Sequence, residues 1–94
     1  MNTNQVSNTA VMSALARAEA LVIYLTAQGV KVNGISLRHA QPVIRIARHG
    51  WCERMLRAGH AHYSQYGHGR SGRYRQGVYT DGSGCRVVWS ESIH

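Results

Sequence analysis

The chain has 94 residues and carries 11 basic against four acidic side chains, for a net charge of +7 with only two cysteines. That length makes a single domain, residues 1–94, with a modest core, because a small fold leaves much of its surface wet. It excludes a two-domain enzyme, and the absence of a run of about 18 uninterrupted apolar residues speaks against a membrane span or a membrane partner.

Residues 1–8 are Asn-rich and aperiodic, which reads as a frayed leader. They lack the basic start and cleavage site of a secretory signal, so a cytoplasmic location is expected. From Thr9 to Gln28 runs the longest periodic stretch, with Val11, Leu15, Ala18, Val22 and Leu25 on one helical face, flanked by Met12, Ala14, Leu21 and Tyr24. Asn8 or Thr9 offers the N-cap oxygen, and Gly29 suits a left-handed C-cap. Arg17 and Glu19 are the helix's only charges. Its apolar circumference is wider than a small sheet can cover, and a homodimer through the surplus face is expected.

Val30 to Leu37 alternates in two phases that change at Asn33-Gly34, the signature of a bulge or tight turn. Pro42 favours extended backbone, and Val43 to Arg48 follows as a strand with Ile44 and Ile46 inward and Arg45 outward. Trp51 to Ala58 forms about two helical turns, stopped by Gly59. Gly59 to Gly72 holds no aliphatic side chain larger than Ala, so a long mobile loop rich in Gly, His, Arg and Tyr is expected at 59–72. Tyr74 to Ser90 reads as a hairpin turning at Asp81-Gly82-Ser83-Gly84, and residues 91–94 as a frayed tail. The fold class is therefore α+β: one long N-terminal helix packed on a small antiparallel sheet, with a short second helix and the loop.

Residues that could carry chemistry are sparse. Cys52, His60, His62 and Cys85 lack the close pairing of a zinc site, so no metal and no cofactor is expected. The two cysteines read as free thiols in a reducing compartment. Cys52 beside His49 has no third group to orient the imidazole, and Glu19, Glu53, Asp81 and Glu91 form no carboxylate pair, so no catalytic residues and no enzyme activity are expected. Gly67, Gly69 and Gly72 lack the strand, helix and Lys of a phosphate loop.

Charge is the stronger signal. Residues 31–78 hold nine basic residues against Glu53 alone, a net of +8, whereas residues 79–94 stand at −1. Arg38, Arg45, Arg48, Arg54 and Arg57 fall on or beside the second strand and short helix. Arg70, Arg73 and Arg75 follow, with Tyr63, Tyr66 and Tyr74 among them. Arginine interleaved with aromatics can contact phosphate and stack on bases.

In layout, with a polar start, an apolar helix ending Gln28-Gly29-Val30, and QPVIRIA and GSGCRVVW as terse strands, the chain resembles the small accessory proteins of bacteriophage and prophage early regions. The resemblance implies a non-enzymatic inhibitor, of the anti-CRISPR or other anti-defence kind. Such a protein would dock its arginine face and loop on an acidic surface of a host protein complex, in the host cytoplasm. The alternative is a small basic nucleic-acid-binding protein using the same residues.

Overall fold

Seven elements follow one another in the computed structural model, which describes residues 7–70 and 72–93. They are α1 (Asn8–Ala27), β1 (Val32–Arg38), β2 (Gln41–Ile46), α2 (Gly50–Arg57), β3 (Ala61–Gly69), β4 (Gly72–Thr80) and β5 (Arg86–Ser92). The strands form one sheet in the order β1-β2-β5-β4-β3. An α+β fold with a long first helix and a short second one is what the periodicities imply, but the sheet is mixed rather than antiparallel. β2 and β5 run parallel from Val43↔Arg86 to Arg45↔Val88, because α2, β3 and β4 intervene and return the chain in the same direction.

Both helices lie on one face of the sheet. Their buried side chains Leu21, Leu25, Trp51 and Cys52 meet Ile44, Ile46, Val87 and Trp89 in one core. Trp51 is its centre: its ring stands edge-on to Tyr24, Tyr79 and Trp89, and its Nε1–H donates to the Tyr24 hydroxyl at 2.9 Å. A buried indole with its one donor satisfied contributes its full apolar area. Gly77 lies under Trp89 on the neighbouring strand, where an added methyl would collide with the indole.

α1 is capped by Ser7, whose hydroxyl accepts from the Ala10 N–H at 3.1 Å, one residue before the caps expected from sequence. Residues 1–6 of the expected leader lie outside the described residues, and Asn8 belongs to the helix. Gly29 ends it at φ 81, with its N–H on Thr26 and the Val30 N–H on Leu25, the paired bonds of a Schellman stop. The buried stripe is Ala14, Ala18, Leu21 and Leu25. Leu15, expected inside, is 52% exposed, because the small Ala14 and Ala18 let the helix approach the sheet on a face turned by one residue. By length and composition alone α1 could cross a bilayer. Here it is docked by Arg17, whose guanidinium donates to the Ser83 carbonyl at 2.5 Å and to the Ala40 carbonyl at 3.4 Å.

Most of the segment expected to be a mobile loop is a strand, with Ser71 outside the described residues. Residues 61–69 pair with β4 from Ala61↔Tyr79 to Gly69↔Gly72, with a bulge at Tyr63/Gln65. Ladder bonds need no aliphatic side chain, and two aromatic contacts hold the pairing in place. The Tyr63 ring lies 4.0 Å beneath the Arg75 guanidinium. Tyr74 covers Gly67, where a methyl would come within 2.6 Å of its ring. Of the expected frayed tail, Glu91 and Ser92 pair with Arg75 and Tyr74 in β4, and His94 lies outside the described residues. The phase change near Asn33-Gly34 is a bulge, as the alternation implies, and the return to β2 comes later, at His39 and Ala40, both at positive φ.

Candidate functional site

Pleating sends alternate residues of every strand to opposite faces, so the helices cover one set and leave the other open. Arg86, Val88 and Ser90 on β5, Gln76 and Val78 on β4, Val43 and Arg45 on β2, and Ser36 and Arg38 on β1 share the uncovered side. Together with Ser64 and Gln65 of the β3 bulge, most of them line a groove of about 350 Å³. Val78 and Val88 are buried at its floor, while Arg38, Arg45 and Arg86 are exposed above them. Arginine stems over valine bury methylenes and keep the guanidinium in water. Gly34 lets Arg45 lie flat across β1, since a methyl there would stand 2.5 Å from its Nη2.

The acids are all elsewhere. Glu19 is on α1, Glu53 on α2, Asp81 in the β4–β5 turn and Glu91 on the helix-covered side of β5. Among the described residues, Arg38, Arg45 and Arg86 therefore have no ion-pair partner, whereas Arg48 meets Glu53 at 3.0 Å and Glu91 at 3.7 Å, Arg57 meets Glu53 at 3.6 Å, and Arg75 meets Glu91 at 3.2 Å.

Glu91, expected in the frayed tail, is the centre of a buried network. Its carboxylate accepts from Trp89 Nε1–H at 2.8 Å, from the Tyr63 hydroxyl at 3.1 Å and from the Arg75 guanidinium at 3.2 Å. Burial alone would raise its pKa, but these hydrogen bonds and the Arg75 charge outweigh it and hold the carboxyl below its ordinary range. Burial, then the charge of Glu91, pushes the Tyr63 phenol up. This carboxylate orders β3, β4 and β5 against one another. It has the surroundings of a structural ion, with every lone pair engaged.

The arginines and tyrosines singled out by sequence thus separate into groups. Arg38 and Arg45 reach the open face, with Tyr74 half-buried on Gly67 along the same side. Arg48, Arg57, Arg75 and Tyr63 are tied to carboxylates on the helix side. Arg54 is exposed on α2, Arg70 sits at the β3–β4 turn, and Arg73 and Tyr66 are exposed on β4 and β3. Arg86 completes the open-face set, and its segment's negative balance concealed it. No family model, curated protein or solved structure matches this chain.

Among the described residues, no three His, Cys, Asp or Glu side chains converge as metal ligands. Cys52 and Cys85 are free and buried. Burial pushes the Cys52 thiol up, so it stays protonated at neutral pH. Its neighbour His49 uses Nδ1 to accept the Trp51 N–H at 2.9 Å as the cap of α2, a structural engagement that leaves that nitrogen no role as a base toward the thiol.

Proposed function

We propose that this chain is a non-enzymatic binding protein that holds nucleic acid on the open face of its sheet. The observation that carries the proposal is the placement of Arg38, Arg45 and Arg86 over a polar groove that no acidic side chain among the described residues lines. Planar guanidinium forks suit phosphate, and interfaces with nucleic acid are more polar and more positive than those with protein. An acidic host protein, the partner of a phage-type inhibitor, is the other occupant that this charge permits. Protein interfaces, however, take most of their energy from large apolar or aromatic anchors. The exposed ones here, Met12, Leu15, Ile23, Tyr24, Ile35, Leu37 and Tyr66, belong to α1 or to the helix-side faces of β1 and β3.

The proposal includes a homodimer through the outer surface of α1. Met12 and Ile23 are 64% and 63% exposed there, with Ala16 and Ala20 between them. Copies of a +7 chain repel, and this face of the helix carries no basic side chain, its one charge being the exposed Glu19, so copies can meet there with both open faces outward.

Fluorescence anisotropy of labelled DNA and RNA 12-mers, titrated at several salt concentrations, tests the reading. Neutralising three phosphates of a single strand gives a log–log salt slope near about −2. Arg38→Ala/Arg45→Ala/Arg86→Ala flattens that slope and weakens binding at least about tenfold. Absence of binding to single strands and duplexes at low salt would sink the proposal, and nuclease-resistant capture of an acidic bacterial protein would favour the inhibitor reading.

A further inference from the structure

β2 and β5 part company after three residues. Ile93 N–H donates to the Arg73 carbonyl and Asp81 N–H to the Cys85 carbonyl, which sets the phase of the β4–β5 ladder. Odd-numbered residues of β5 exchange their backbone bonds with β4, and even-numbered ones turn theirs toward β2. Arg86 and Val88 meet β2 there. The next even residue, Ser90, has no strand partner on that side, because the parallel pairing ends at Arg45↔Val88 and β2 at Ile46, beyond which the Ala47 N–H is turned away from β5 to Lys31.

The gap is a cleft of about 340 Å³, walled by Asn33, Arg45, Ala47, Gln76 and Ser90 among others. It shares Arg45, Gln76 and Val88 with the open-face groove, so the two are continuous. Resting on the proposed nucleic-acid reading, we infer that this cleft seats one unpaired base, whose Watson–Crick edge is bonded by the N–H and C=O of Ser90. An extended strand presents both groups of such a residue side by side, one donor and one acceptor. Every nucleobase offers an adjacent donor and acceptor on that edge, but only when unpaired. Arg45 forms the wall between cleft and groove, where its guanidinium can stack on the base or hold the adjoining phosphate. A peptide strand fits less well, because β5 ends at Ser92, two residues beyond Ser90, and leaves almost no ladder to extend.

The protein therefore selects single strands over duplex. The test is anisotropy with a labelled 12-mer of mixed sequence, alone and annealed to its complement, at one salt concentration. The expected result is at least tenfold tighter binding of the single strand. Ser90→Pro removes the cleft-facing N–H and no β4 ladder bond, so it lowers single-strand affinity to the duplex level and leaves duplex affinity unchanged. Should that variant fail to fold by circular dichroism, Ala47→Phe fills the cleft from its other wall and has the same expected effect. Equal binding of the two forms, or an undiminished preference in the folded variant, overturns the cleft assignment while the phosphate-binding face stands. Loss of all nucleic-acid binding in the parent removes the functional reading beneath it.

Discussion

The two faces of this sheet receive the same residue type and use it in opposite ways. On the helix-covered face, Arg48 and Arg75 lean on Glu91, and the tyrosine and indole donors around that carboxylate are satisfied. On the open face, Arg38, Arg45 and Arg86 have no acid among the described residues. Pairing makes an arginine part of the fold, and its absence leaves a charge for something outside the molecule. In a +7 chain with four acids, where the acids sit decides where the surplus charge is available, so the location of Glu53 and Glu91 is as informative as the location of the arginines.

The comparison can be broken most severely from the covered side. Trp51→Ala removes a buried indole and its bond to Tyr24, and is expected to cost about 3–5 kcal/mol in chemical denaturation. The folded fraction should still bind nucleic acid with the parent affinity. Lost affinity per folded molecule would mean that the faces are coupled.

Glu91→Gln keeps the shape but removes the charge that Arg48 and Arg75 approach, and about 1–3 kcal/mol is expected to go with it. Because the folded-state pKa of Glu91 is depressed, its stabilisation is fully present above the ordinary carboxylate range and is lost as pH falls through the lowered value. Melting of the parent should therefore weaken more steeply below about pH 4 than melting of the variant. Parallel curves would show that Glu91 is not the network's charge centre.

Ile23→Glu places a charge on the outer surface of α1, where the side chain is 63% exposed. Light scattering at tens of micromolar should fall from dimer to monomer mass, with monomer stability changed by less than about 0.5 kcal/mol. A monomeric parent would remove the dimer. The smallest stability effect belongs to the open face: the triple arginine-to-alanine variant should melt within a few degrees of the parent, since solvated charges without partners add little to folding. A large drop in melting temperature would show those arginines to be structural.

What the sequence made legible follows the reach of each interaction. The core strand with Ile44 and Ile46, the bulge near Gly34 and the turn at Asp81–Gly84 are written in neighbouring residues, and period and turn chemistry recover them. β3 was illegible because a glycine-rich edge strand is held by backbone bonds and by Tyr63 and Tyr74 contacts with distant partners. Glu91 looked like tail for the same reason, since Arg48 and Tyr63 lie far back in the chain. Arg86 is hidden in any sum of charge along its segment, where Asp81 and Glu91 outweigh it. Pleating sends Arg86 and Glu91 to opposite sides of one strand, so the sum cancelled charges that never meet.

The short parallel seam has a kinetic consequence. The antiparallel pairs close across short turns, but joining β2 to β5 requires α2, β3 and β4 to be looped out first, and longer closures cost more chain entropy. The chain is thus two locally wound pieces, a helix with a hairpin and a helix with a three-stranded meander. They are joined by a few ladder bonds and by side-chain bridges such as Arg17 to Ser83 and Trp51 to Tyr24. Partial opening should run along that line, so amide exchange at Ile44 and Val88 is expected to outpace exchange at Val87 and Trp89, whose amides face β4.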